Sequence, residues 1–496
     1  VLSVAPPPEP PRAEPAPLPE PSREIEARGA ALPGPAREAL APRLTSRGYV
    51  TWIYAHPRTT ERFIGYVRNG SSIALRGTEL VAGEGCPRGF YAVEPRGFVC
   101  NDRTVTRAPS ARALAMAAAA ASAPGAPYRH AFSDGAPMYN RIPRVDEQRR
   151  VEGAFGPAGG ERRPYERPSA YHDLARLDAI PPADAVPPFL AGGGAAAEGR
   201  MGLVKETLPA GSVVSFTRAF AAEGRTWLLS ADQSLVPADR VRIFTPSTFH
   251  GARLDGEVAL PLGWMRGAAR PKLRRLPSGA FAPTGESWPV RSFARLSGMR
   301  VEHEGQGYLE TWERDLEGGA IFVRESDTTV AQRAPALPTG VTPDQKWIEV
   351  SITRGTLVAY EGLEPVYATL ISPGRGGVPV PGRDDVVDST TPLGTYNITF
   401  KDRAVTMSPD KPGGPRAHFI ADVPYVQYFK APFALHAAFW HERFGEPASA
   451  GCVNVSPTDA EALFQWTDPE VPEGWQGATG AGAPGGGKTT AVVVRR

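Results

Sequence analysis

From Gly48 to about Thr106, apolar and polar residues alternate in short runs: GYVTWIYAHP, ERFIGYVRNGSSIAL and GFYAVEPRGFVC. A period of two, broken by Gly and Asn-Gly turns, predicts strands, and several short strands in succession argue a small β-barrel. The pattern returns from about Pro127 to Thr245, ending in GSVVSFTRAFAAEGRTWLLSADQSLVPADRVRIF, and again from about Pro261 to Val330. Both regions combine a strand-turn-strand unit with a tryptophan and a closing strand. A last β-rich segment opens with KWIEVSITRGTLVAYEG, where Ile348, Val350 and Ile352 alternate onto one face. TTPLGTYNITF predicts a turn and a strand, and APFAL reads as a buried strand. Helical signals come late. Ser456-Pro457-Thr458-Asp459 has the form of a capping box with Pro at the first helical position, and AEALFQW supplies Leu463, Phe464 and Trp466 for packing. The expected fold is mainly β.

Between these regions the composition changes. Gly and Pro number 53 each, well above the roughly 12% of ordinary chains, and the excess is concentrated in a few segments. Residues 1–44 (VAPPPEPPRAEPAPLPEP and its continuation) lack any apolar period and read as a disordered Pro-rich tether. Residues 107–126 form a low-complexity, Ala-rich linker, and 333–345 (RAPALPTGVTPDQ) a Pro/Gly linker. The folded regions are therefore expected at 45–106, 127–250, 258–332 and 346–496. With 55 basic and 53 acidic residues and no basic stripe, the charge gives no case for nucleic acid as a partner. The longest apolar run, around Ala113–Ala121, is far short of a membrane helix. The chain starts at Val1 without a charged or apolar leader, so the expectation is a targeting segment ahead of it, which leaves room for a membrane tether there.

Three cysteines occur. Cys86 and Cys100 bracket CPRGFYAVEPRGFVC, a hairpin-like stretch whose closure by a disulfide would contribute about 3 kcal/mol for a loop of about 15 residues. Such a bond implies an oxidising, extracytoplasmic location. Cys452, in ASAGCVNVSP, is then the odd thiol. His436 lies 16 residues before it at the end of APFAL, and imidazole is the usual partner that activates a thiol. Gly451-Cys452 allows a tight turn that aims backbone N–H groups at one point, as an oxyanion site requires. His441 is spaced wrongly from His436 for a helical zinc pair and has no evident third ligand, so no metal is expected. GAPGGGKT at 482–489 has the spacing of a phosphate-binding loop, but seven residues after Thr489 leave no room for its helix. No nucleotide is expected.

Residues from about Lys346 to Trp466 resemble the L,D-transpeptidase catalytic domain. The resemblance rests on the opening strands, the turn Thr391-Pro392-Leu393-Gly394, the ALH strand, FWHERFG and GCVN. It implies a β-sandwich with one or two short helices; separately, the regions at 45–106, 127–250 and 258–332 resemble the SH3-like β-barrel modules of cell-wall proteins. It also implies Cys452 as nucleophile, His436 as base, and the Gly451 and Cys452 amides as oxyanion donors. Ser449, Ala450 and Asn454 belong to the substrate-binding loop, Trp440 and His441 to the lid of its groove, and Tyr425 to its lining. His418, Tyr428 and Phe429 read equally as groove or core. The implied partner is a peptidoglycan stem peptide, with no cofactor, 3→3 cross-linking as the reaction and carbapenems as inhibitors. Where the family has Ser/Thr-His-Gly-Cys, this chain has Ser449-Ala450-Gly451-Cys452. That departure keeps two further readings open: an L,D-carboxypeptidase, or a non-catalytic wall-binding protein. Papain-like peptidases reverse the Cys/His order, and sortases need an Arg after the cysteine.

Overall fold

The structure is a computed structural model that describes residues 42–111, 114–115, 128–153, 175–176, 179–193, 202–245, 247–408, 419–480 and 487–496. The expected tether lies almost wholly outside these residues, as do most of the Ala-rich linker, His418 and positions 482–486 of the Gly-rich motif. Residues 42–496 form one compact unit.

In the first module, strands Val50–Tyr54 (β1) and Phe63–Arg68 (β2) pair antiparallel, and β1 also meets Phe98–Cys100. The row continues through Phe90–Val93, Ser72–Val81, Arg43–Ser46 and Val105–Thr106. Cys86 and Cys100 are joined by a disulfide. The second module is built around Arg129–Ser133 (β3) and Val213–Ala222 (β4), which pair with each other. The third is a separate seven-stranded sheet that includes Leu262–Met265 (β5) and Phe293–His303 (β6).

None of these sheets closes into the barrel that the strand spacing suggests. The first shows why. β2, at one end of its row, pairs on its free side with Gly477–Thr479 near the C-terminus instead of with the opposite end of its own sheet. A strand edge carries unpaired N–H and C=O groups that need partners, and here the C-terminal segment supplies them. The module's core includes Phe464, Val471, Trp475 and Ala478 beside Leu44, Ile53, Ile64 and Val99. The Trp475 indole N–H donates to Glu94 O at 3.0 Å. The module is thus completed by residues more than 350 positions away.

The last domain is a two-layer sandwich. One layer contains Lys346–Ser351 (β7), Thr356–Glu361 (β8), Glu364–Leu370 (β9) and Gly394–Asn397 (β10). The other contains Phe400–Met407 (β11), Ile420–Lys430 (β12), Phe433–Ala437 (β13) and Val453–Val455 (β14). Helix Pro457–Trp466 (α1) follows directly; Gly477–Thr479 (β15) joins the second layer, and Ala491–Arg495 (β16) the first. Ile348, Val350 and Ile352 pack between the layers with Phe429, Leu435, Val453, Val455 and Leu463. The opposite face of β7 is buried too: Trp347 stacks on Tyr360 with ring centroids 4.1 Å apart.

Ser456 caps α1, its hydroxyl accepting from Asp459 N–H at 3.1 Å. The capping box is only half formed. The Asp459 carboxylate turns away to accept from Gly251 N–H at 2.8 Å, Tyr367 O–H at 2.7 Å and Thr369 O–H at 2.5 Å. It thereby ties Gly251, between the second and third modules, to the sandwich, where Ala252–Arg253 adds an edge strand to β9. At the other end of α1, the fully buried Lys401 ammonium donates to Phe464 O and Thr467 O at 2.5 and 2.8 Å. It satisfies carbonyls that a helix C-terminus leaves without intrahelical partners.

Candidate active site

The candidate site forms where β13 and β14 run parallel. Their register sets Leu435 against Val453 and His436 against Asn454. With a side-chain period of two, His436, Asn454, Ala434 and Cys452 share one face, and Cys452 lies just ahead of β14 beside Ala434. The base and the thiol named from the sequence are thus brought together as a diagonal pair on adjacent strands.

His436 Nδ1 lies 2.9 Å from Ala437 O. That bond fixes the tautomer: Nδ1 carries the proton and donates, and Nε2 keeps its lone pair. Burial holds the ring neutral, pushing its pKa down to about 4. The same desolvation pushes the Cys452 thiol up to about 11, partly offset by a hydrogen bond with the Ala434 backbone. The resting pair is therefore thiol and neutral imidazole, not thiolate and imidazolium. Such a pair acts by general-base catalysis, the proton leaving sulfur as sulfur attacks.

The loop before Cys452 is held by backbone and one hydroxyl. Ser449 N–H donates to Pro373 O at 3.1 Å, and Arg375 N–H donates to Ser449 O at 2.9 Å. Ser449 Oγ accepts from Gly451 N–H at 3.0 Å and donates to Cys452 O at 2.5 Å. Gly451 has φ +121°, and a Cβ there would stand 2.6 Å from the Phe433 ring and 2.9 Å from Thr390 O. Only glycine fits. The expected pair of oxyanion donors needs revising, because the Gly451 amide is spent on Ser449. Among the described residues the Cys452 N–H forms no hydrogen bond, so it is the loop amide that could still donate to an oxyanion. Ala450 is exposed, so the family histidine it replaces is missing from the rim of the loop, not from its core.

Asn454 and His441 form a buried polar pair. The His441 Nε2 lies 3.0 Å from the Asn454 amide, and its Nδ1 accepts from Arg443 N–H at 3.2 Å. Since Nδ1 accepts, the neutral ring carries its proton on Nε2, and the amide oxygen of Asn454 is the group that suits it. Desolvation, Arg443 and His436 together depress the His441 pKa to about 3. Trp440 and His441 are buried rather than spread over a groove, with the Trp440 ring 5.8 Å from that of His436. Tyr425 does not line the thiol. It packs against Phe464 of α1 at 5.5 Å, and Phe429 lies in the core between the layers. Tyr428 is the tyrosine that packs with Cys452 against the same buried cluster. Desolvation first, then Asp402 and Cys452, raise its pKa to about 12.

No sequence signal marks the neighbours that hold the segment between His436 and Cys452. His130 of β3 stacks on Phe439 at 3.8 Å, and Phe244 meets the same ring at 5.4 Å. Phe249 stacks on Phe444 at 5.5 Å. Arg291 donates to Glu442 O at 2.8 Å and pairs with its carboxylate at 2.6 Å, while Arg266 donates to Gly445 O at 3.2 Å. Two accessory modules thus hold the one segment that joins the candidate base to the candidate nucleophile. Their aromatic and arginine positions look ordinary until the fold brings them to residues 439–445. Among the described residues no three His, Cys, Asp or Glu side chains are grouped to hold a metal ion.

Residues 345–494 match the model of the YkuD family, the L,D-transpeptidase catalytic domain. This segment is a YkuD L,D-transpeptidase catalytic domain. The match covers the whole sandwich, from β7 to β16, and includes Cys452, His436 and the loop between them. No curated protein matches the chain. Solved structures similar to it include an L,D-transpeptidase from Xylanimonas cellulosilytica (22% identity, 32% of this chain and 64% of that one, TM-score 0.21). Others come from Stackebrandtia nassauensis (20%, 33% and 59%, TM-score 0.21) and Mycobacterium smegmatis (15%, 41% and 98%, TM-score 0.22). The chain spans less than two thirds of the length of the first two. Here the YkuD domain is joined in one compact unit to three β-rich modules.

Proposed function

We propose that the protein is an exported, cysteine-dependent L,D-transpeptidase that acts on the tetrapeptide stems of peptidoglycan. The observation that carries this reading is the His436 tautomer: Nδ1 is bound to Ala437 O, and Nε2 is left as a base on the face that Cys452 shares. In the first half-reaction His436 Nε2 takes the thiol proton while sulfur attacks the carbonyl of the third stem residue. The Cys452 amide receives the oxyanion. Collapse breaks the amide bond, and His436 returns its proton to the departing D-alanine amine, leaving a thioester. In the second half-reaction the amine of another stem attacks the thioester, His436 takes the proton from that amine, and the thiol is restored as a 3→3 cross-link forms.

The Ala450 departure weighs little against activity, since the exposed rim position supplies only backbone to the loop. An extracytoplasmic location fits both the Cys86–Cys100 disulfide and a wall substrate. No helix of the described residues is long and apolar enough to cross a membrane. The test is incubation with a disaccharide-tetrapeptide. D-alanine release with dimer formation supports transpeptidation, and release alone would assign a carboxypeptidase. No release, with retained binding to sacculi, would assign a binding protein.

A further inference from the structure

The sheet that carries Cys452 does not end at the catalytic domain. Through β15 it continues into β2 and β1 of the first module, so β1, β2, β15, β11, β12, β13 and β14 are successive neighbours. Adjacent strands lie about 4.8 Å apart, so six steps span about 29 Å. Along this face runs a row of aromatic rings. Trp52 stands opposite Tyr66 with ring centroids 5.8 Å apart, and Tyr66 stacks on Phe400 at 6.3 Å and 11°. Phe400 pairs in register with Tyr428, which packs with Cys452 against the same buried cluster. Phe63 fills the gap behind the row, 4.2 Å from Trp52 and edge-on to Phe400 at 6.2 Å.

This row is built rather than incidental. Gly477 lies between Tyr66 and Phe400, and a Cβ there would stand 2.9 and 2.8 Å from the two rings. The Tyr66 hydroxyl donates to Asp402 Oδ2 at 2.5 Å, which fixes the ring. Along β1, Thr51 and Ile53 are buried while Trp52 is 40% exposed. Tyr66, Phe400 and Tyr428 are each partly open as well. Single exposed rings are common on proteins, but a group of neighbouring rings on the sheet face that also carries the candidate thiol marks a binding surface.

We infer that this row is a saccharide platform, on which pyranose rings of a glycan strand stack while the attached stem peptide reaches Cys452. An aromatic face carries negative quadrupolar charge, and the C–H groups on the flat side of a pyranose present positive charge to it. Rigid rings at spacings near 6 Å suit a chain of rings better than a peptide, which needs backbone hydrogen-bond partners along its length. The identity of the sugar rests on the peptidoglycan reading above; the platform itself rests on the ring geometry.

The test is calorimetric titration of the full chain with peptide-free glycan strands of alternating N-acetylglucosamine and N-acetylmuramic acid. The unmodified chain is expected to bind them. Loss of one stacking ring in Trp52→Ala should weaken binding about fivefold to tenfold, and Trp52→Phe, which keeps a ring face, by less than about twofold. Equal affinity of all three proteins, or no binding by the unmodified chain, overturns the inference. So does unchanged glycan binding with loss of self-association in the ultracentrifuge, which would give the face to a second copy. Strands carry no acyl donor and test the platform alone, so strand binding together with no acylation of Cys452 by the disaccharide-tetrapeptide would sink only the proposed function. Acylation without strand binding would sink only the platform.

Discussion

The imidazole of His441 meets the side-chain amide of Asn454 at 3.0 Å. Asn454 in turn stands opposite the candidate base His436 in the parallel register of β13 and β14. The amide is therefore a buried spacer between two rings that are both held neutral. Asn454→Asp would place a carboxylate beside both, and a nearby negative charge favours imidazolium. The acid limb of the pH–rate profile should move upward from near pH 4, the value to which burial lowers His436. A limb at the same pH in the variant would show that Asn454 does not face the base.

Thiol and imidazole are pushed apart, to about 11 and about 4. Between those values one protonation state dominates. The rate of Cys452 acylation is expected to be nearly flat from about pH 5 to pH 10, in contrast to the rise near neutrality of a thiolate–imidazolium pair. Stopped-flow acylation across that range checks this, and a bell centred near pH 7 would contradict it.

The same burial makes stability pH-dependent. His130 and His436 titrate near 4 and His441 near 3 in the fold, against about 6.5 for a free imidazole. Between these values the unfolded chain binds more protons, so their contribution is fully present above about pH 6.5 and is lost as pH falls towards 4. Urea midpoints should drop between pH 7 and pH 5, and His130→Phe should shrink that drop. Equal drops in variant and parent would remove His130 from the account.

The arginine clamp has a direct readout. Arg291 holds Glu442 by main chain and side chain, on the segment that joins base and nucleophile. Arg291→Ala is expected to lower kcat by about tenfold or more, since small misplacements in a catalytic pair are costly, with little change in melting temperature. An unchanged kcat would reduce the third module to a passenger.

Strand periodicity made the sandwich layers legible: Ile348, Val350 and Ile352 enter the core as their alternation indicates. The Cys452 loop was legible because glycine at 451 is a steric demand that sequence records. What escaped was long-range. β2 finds its neighbour at Gly477–Thr479 rather than within its own sheet, and nothing local to either segment encodes that pairing. The Ser449 hydroxyl that takes the Gly451 amide also escaped, because a serine before Ala-Gly-Cys says nothing of its rotamer. For a related reason alternation along β12 points Tyr425 at the site and does not single out Tyr428. The backbone of β12 passes through positive φ at Asp422 and Tyr425, which breaks the simple alternation by which a strand's faces are counted.

The central claim is that Cys452, with His436 as its base, forms a thioester with a peptidoglycan stem. Intact-mass spectrometry after mixing with a disaccharide-tetrapeptide reads this directly. The account predicts an adduct of the donor less D-alanine, mapping to Cys452, absent in Cys452→Ala and strongly reduced in His436→Ala. An unmodified mass with no D-alanine released, or an adduct that forms as fast without His436, would contradict it.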